Sequence, residues 1–193
     1  MGQRSQIYVR VDRNLEVANY YQWNYGDRMI SRARHGMEWI KEYLEYPFAL
    51  KRNGCSFEKF RRIWDVNFDY RDIVLSSDIF QEYELEGWGT DGTTLEEFCF
   101  KMRDNNDGKL FVDVNTENKR IAFTFTNWDM KILTPDQYMD WNMAGWREKD
   151  YEYLDEELKI VCLNNIEWLN NNAKQMTEEE LEEYIANPFV PFN

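Results

Sequence analysis

Histidine is almost missing from these 193 residues, since His35 is the only one. A lone imidazole excludes a histidine-built zinc centre and leaves one position for a histidine base. Cysteine is scarce too. Cys55, Cys99 and Cys162 are odd in number and widely spaced, which fits reduced thiols buried in a cytosolic protein and not a disulfide framework. There are four prolines and no Ser- or Pro-rich stretch, so no linker divides the chain. No run approaches the roughly 18 apolar residues that would span a bilayer. The polar start Met1-Gly2-Gln3-Arg4-Ser5-Gln6 lacks the apolar stretch of a signal peptide. Gln6 also stands where a myristoylation signal needs Ser or Thr. Basic charge is in deficit, with 23 Lys and Arg against 36 Asp and Glu and a net charge of −13. That total argues against a protein that coats nucleic acid or an anionic membrane.

What is present is apolar and aromatic material, 43% and 17% of the chain, enough to build a core. The length matches a single domain over residues 1–193. Charge is distributed unevenly. Residues 1–62 hold 12 basic and 7 acidic residues, a net of +5, and residues 63–193 hold 11 and 29, a net of −18. The basic N-terminal part could meet an anionic partner and the acidic remainder a basic one, while acidity also serves solubility.

Ile7, Val9 and Val11 alternate with polar neighbours, Asp12-Arg13-Asn14 can turn, and alternation resumes from Leu15 to Tyr25, which predicts a hairpin. Gly26 breaks it, and Asp27 can cap a helix of about 18 residues along Ile30, Ala33, Met37, Ile40 and Leu44. Pro47 ends that helix. A loop over 48–54 precedes a second helix capped by Ser56, with Phe57, Phe60, Ile63 and Trp64 on its apolar side. A third helix is expected from Ser77 or Asp78, a loop over 86–94, and a short helix over Leu95–Met102. The Asp104–Gly108 turn leads into a second hairpin over 110–126, with a further strand through Trp128, Met130 and Ile132. Thr134-Pro135-Asp136-Gln137 and Thr177 to Glu180 are helix-start signatures. Between them Tyr151, Leu154, Leu158, Cys162, Ile166 and Leu169 mark a long helix. Two hairpins among helices predict an α+β fold, an antiparallel sheet of about four or five strands packed with amphipathic helices.

Few motifs suggest chemistry. Gly87-Trp88-Gly89-Thr90-Asp91-Gly92 matches the dinucleotide pattern, yet acidic residues precede it where a core strand is required, and Asp91 would lie inside the phosphate cradle. The Asp104–Gly108 segment resembles a calcium loop, but aligning its glycine puts Arg103 and Val114 at ligand positions. Ser31 and Cys55 have no base at a triad spacing. No metal, cofactor or catalytic residue is assigned. Two surfaces remain. Arg4, Arg10, Arg28 and Arg32, beside Arg34, His35 and the hairpin aromatics Tyr8, Tyr20, Tyr21 and Trp23, could pair internally, meet a protein, or contact nucleic acid. Glu178, Glu179, Glu182 and Glu183, with Asp155 and Glu156, could be a solvated face or could imitate a phosphate backbone.

The stretch Met1-Gly2-Gln3-Arg4-Ser5-Gln6-Ile7-Tyr8-Val9-Arg10, with Tyr21-Gln22-Trp23-Asn24-Tyr25-Gly26, resembles uncharacterised proteins of gut Firmicutes and their phages and mobile elements. Small size, acidity and the lack of a catalytic constellation make the profile similar to that of anti-CRISPR proteins. That resemblance implies a non-enzymatic inhibitor in the cytoplasm of a host bacterium. Its partner would be a basic nucleic-acid-handling enzyme, a Cas effector such as Cas9. It has no shared motif, so it assigns no residue. The alternative expectation is a module that contacts nucleic acid through the basic N-terminal hairpin and helix.

Overall fold

The computed structural model describes residues 2–46, 60, 62–65, 69, 75–102 and 106–186. β1 (Arg4–Val11) and β2 (Asn14–Gln22) form the first hairpin. Asp12 and Arg13 turn the chain at φ 48° and 70°, the double positive φ whose twist suits a two-residue hairpin loop. A register shift at Val9/Arg10 changes the alternation, so Val17 and Tyr21 enter one core cluster while Leu15 enters the other. The hairpin stops at Gln22. Trp23 has φ 62° and is exposed, so the expected continuation to Tyr25 does not form.

β4 (Lys109–Asn115) and β5 (Arg120–Thr126) form the second hairpin. Three shorter strands complete the sheet: β3 (Leu75–Asp78) on β2, and β6 (Ile132–Leu133) and β7 (Lys174–Gln175) on β5. The order is β3-β2-β1-β4-β5-β6, with β7 off this path. Here the expectation of a purely antiparallel sheet of four or five strands is corrected. β1 and β4 run parallel from Gln6↔Lys109 to Val11↔Val114, β7 runs parallel to β5, and the described residues supply seven strands. Parallel pairing needs a long crossover, and residues 23–108 supply one. As central strands, β1 and β4 are buried on both faces: Ile7, Tyr8, Val9, Leu110, Phe111 and Val112 are all at 0% exposure.

Helices cover both faces. On one side α1 (Asp27–Glu45), α4 (Pro135–Asn142) and α5 (Glu156–Asn172) pack through Ile30, Met37, Ile40, Tyr138, Ile166 and Leu169 onto Ile7, Val9, Val112, Phe123 and Phe125. α1 comes close to its neighbour at Gly36, where a Cβ would lie 2.4 Å from the Trp64 ring. On the other side α2 (Ile79–Leu85), the turn after α3 (Leu95–Glu97), and α6 (Glu178–Ala186) cover Tyr8, Ala18, Phe111 and Ala122 with Ile79, Phe98, Phe100, Leu181 and Tyr184.

Local signals explain several boundaries. Thr134 with Gln137, Thr94 with Glu97 and Thr177 with Glu180 form reciprocal capping boxes. Asp78 caps α2 by accepting the Phe80 N–H at 2.9 Å, which is the expected start at Asp78; Ser77, the alternative start, lies in strand β3. The cap of α1 is Gly26, and Asp27 sits buried in the first turn. Leu95–Met102 is one α turn followed by a π-helical turn over Phe98–Met102. Trp128–Met130 is not a strand, because the chain turns there with Met130 at φ 64°. The Ser56 cap, Phe57 and the 48–54 loop lie outside the described residues, while Phe60 and Trp64 of that region are buried. Among the described residues no helix is long and apolar enough to cross a membrane.

Candidate interaction surface

The N-terminal arginines are largely committed to the interior. Arg10 is 6% exposed. It pairs with Asp113 on the neighbouring strand at 2.7 Å and with Glu183 of α6 at 2.9 Å, and lies 4.3 Å from the Tyr184 ring centroid. Burial alone would lower its pKa, but the hydrogen bonds to Asp113 and Glu183 outweigh it and the net shift is upward. Arg32 is 1% exposed. Its Nε donates to Asn24 Oδ1 at 2.9 Å, its Nη1 donates to the Trp64 carbonyl, and its guanidinium lies over Tyr21. Arg28 is half-buried and donates to the Trp23 carbonyl at 3.2 Å. Arg4 is half-buried, and its backbone N–H is held by Asn106 and Asp107 at the strand start. Arg34 clamps Glu38 at 2.6 and 2.9 Å and lies over Trp168. Tyr8 and Tyr21 are at 0% exposure. A phosphate or base therefore cannot reach Arg10, Arg32, Tyr8 or Tyr21 in this fold, and these four residues leave the candidate nucleic-acid surface.

The carboxylates divide differently. Asp155 caps α5 by accepting the Leu158 N–H at 2.8 Å, and Glu156 pairs with Lys159 at 2.9 Å. Glu183 is spent on Arg10, with Arg13 at 3.8 Å. Glu180 accepts from Lys174 at 2.8 Å and Arg120 at 2.6 Å. The Lys174 and Thr177 hydrogen bonds lead in holding its carboxyl below the usual range. The side chains of Glu178, Glu179 and Glu182 make no hydrogen bond or ion pair among the described residues, and all three residues are exposed. Their spacing puts Glu178 and Glu182 one turn apart. The helix beneath them is fixed by buried Leu181 and Tyr184, the latter edge-on to Phe111 at 5.4 Å. The result is three free carboxylates on a rigid mount.

The remaining candidates lie apart from these two surfaces. Ser31 donates to Asp69, which also accepts from Asn165 at 3.1 Å and lies 3.4 Å from His35 Nε2. The serine thus engages the aspartate and not the histidine, so a Ser31–His35 pair of the triad kind is not formed among the described residues. Cys99 and Cys162 are buried free thiols, and burial pushes Cys162 far up from its ordinary value. Cys55 lies outside the described residues. Gly87–Gly92 follows helix α2, not a strand, and holds a short 3₁₀ turn between left-handed Gly87 and Gly92. It lacks the strand–turn–helix frame of a phosphate cradle. An open cleft of about 310 Å³ lies by β3, lined by Asn19, Asp65, Ser76, Asp78 and Glu82 among others. Comparison with protein-family models, with curated proteins and with solved structures finds no match.

Sequence reasoning located the exposed glutamates because a capping box followed by a run of Glu is a local signal. Internal pairing of the arginines was one of the open readings, but the sequence did not name Glu183 as the partner of Arg10, because the two are 173 residues apart and are brought together by the sheet and by docking of α6.

Proposed function

We propose that this chain is a non-enzymatic binding protein that engages a basic protein through the carboxylate face of α6. Its target class is a nucleic-acid-handling enzyme such as the Cas effector Cas9, in the cytoplasm of a host bacterium. The observation that carries the reading is the asymmetry of pairing. Arg10, Arg32, Arg34, Arg120, Lys159 and Lys174 have partners within the molecule. Glu178, Glu179 and Glu182 project from a packed helix with no side-chain partner among the described residues. With a net charge of −13, the field around the chain favours approach to a basic channel and repels nucleic acid. A fixed row of carboxylates competes with phosphates for the same Lys and Arg groups. The test is displacement. Wild-type chain added to Cas9 should release bound guide or target nucleic acid, with a steep loss of potency as salt rises. Release by an uncharged-face variant (Glu178→Gln, Glu179→Gln, Glu182→Gln) at wild-type potency would overturn the carboxylate mechanism.

A further inference from the structure

Gln6 of β1, Lys109 of β4 and Thr126 of β5 form one cross-strand row, set by the registers Gln6↔Lys109 and Lys109↔Thr126. They face the side of the sheet covered by the Phe98–Met102 turn. Their exposures are 0%, 2% and 0%. Their hydrogen-bonding capacity is strongly one-sided. The Lys109 ammonium has three N–H groups; Nζ donates to the Phe100 carbonyl at 3.0 Å and otherwise touches the Met130 thioether at 3.4 Å. The Gln6 side-chain oxygen accepts at 3.1 Å from the Tyr8 hydroxyl, which also donates to the Cys99 carbonyl, and among the described residues the Gln6 Nε2 amide has no acceptor. The Thr126 hydroxyl reaches the same thioether at 4.0 Å. Lys109 forms no ion pair among the described residues.

A buried ammonium without a counter-charge beside an orphaned amide is costly. Burial lowers the Lys109 ammonium to about 8, with fully buried Cys99 the one titratable group acting on it. The three side chains together offer surplus donors and one positive charge, and their walls are apolar: Phe98, Phe100 and Phe111. A water would add donors to a site already rich in them. A small anion adds only lone pairs and the balancing charge. Thioether sulfur is a weak acceptor on an unbranched, adaptable side chain, so Met130 is the group an ion would push aside.

We propose that Lys109 Nζ and Gln6 Nε2 form a buried site for a small monovalent anion of the halide class, with the Thr126 hydroxyl as a third donor. This site is independent of the α6 surface. The probe is bromide. Crystals grown without halide and soaked in sodium bromide should show a bromine anomalous peak in contact with both nitrogens. In solution, wild-type thermal stability should rise with the logarithm of bromide concentration, against sodium gluconate at equal ionic strength. Lys109→Met, which removes a buried charge at similar volume, should lose that dependence, as should Gln6→Met in large part. No peak at the row overturns the proposal. A peak without a halide-specific rise in wild-type stability means an adventitious ion only and also overturns it. So does an undiminished bromide response in Lys109→Met.

Discussion

Asp27 carries a carboxylate at 5% exposure in the first turn of α1. Burial pushes it up to about 7, and the Arg28 charge and the N–H groups of Asp27 and Arg28 recover only part of the cost. Its folded value lies above its unfolded value of 3.8. The folded state therefore holds the proton more tightly, and stability falls as pH rises from about 4 to 7. Above that window the penalty is constant, on the order of 2–4 kcal/mol. Asp27→Asn should stabilise the protein at pH 8, and the gain should vanish below pH 4. Denaturant unfolding of both proteins across this range measures it. The sequence showed Asp27 beside Gly26 and suggested a cap. Its burial was invisible, because Tyr151 and Cys162, the groups of α5 and the segment before it that act on Asp27, are more than 100 residues away in sequence. Arg32 read as exposed because its cover comes from other elements. Its place on α1 looked polar, but Asn24, Tyr21 and the Trp64 carbonyl fold over it.

At the scale of elements, α6 is a nine-residue helix, too short to persist without packing and caps. Its N-terminus is closed by the Thr177 hydroxyl on the Glu180 N–H at 3.2 Å and Glu180 on the Thr177 N–H at 3.0 Å. Thr177→Ala should cost about 1 kcal/mol in global stability and raise hydrogen exchange across residues 178–182, loosening the carboxylate row. Both capping boxes named from the sequence are present because such signals are contained within four residues. The long helices α1 and α5 were legible from their apolar period. β3 and β7 were not: strands of four and two residues carry almost no periodic signal, and pairing with β2 and β5 decides them. The parallel β1–β4 junction was equally hidden. Each strand reads correctly alone, but its neighbour is chosen by a crossover of more than 80 residues.

For the molecule as a whole, charge splits into an internal and an external set. Buried Arg10 ties β1 to half-buried Asp113 of β4 and exposed Glu183 of α6 in one network. Removing its charge leaves the half-buried Asp113 carboxylate without this partner. Arg10→Met should therefore destabilise by about 3 kcal/mol, seen as a lower denaturant midpoint, while Arg13→Met, at an 80% exposed side chain, should change little. The charge asymmetry read from the sequence takes on a different meaning here. The +5 of the first 62 residues is partly consumed by folding, since Arg10 and Arg32 are buried, while the carboxylates of Glu178, Glu179 and Glu182 stay exposed. The most direct measurement is a calorimetric titration of a Cas effector with wild-type chain and with the Glu178→Lys, Glu179→Lys, Glu182→Lys variant, after matched unfolding curves. Wild-type binding that weakens with salt, and a loss of about tenfold or more in the variant, is the predicted result. Equal affinity of the two proteins at low salt would contradict it.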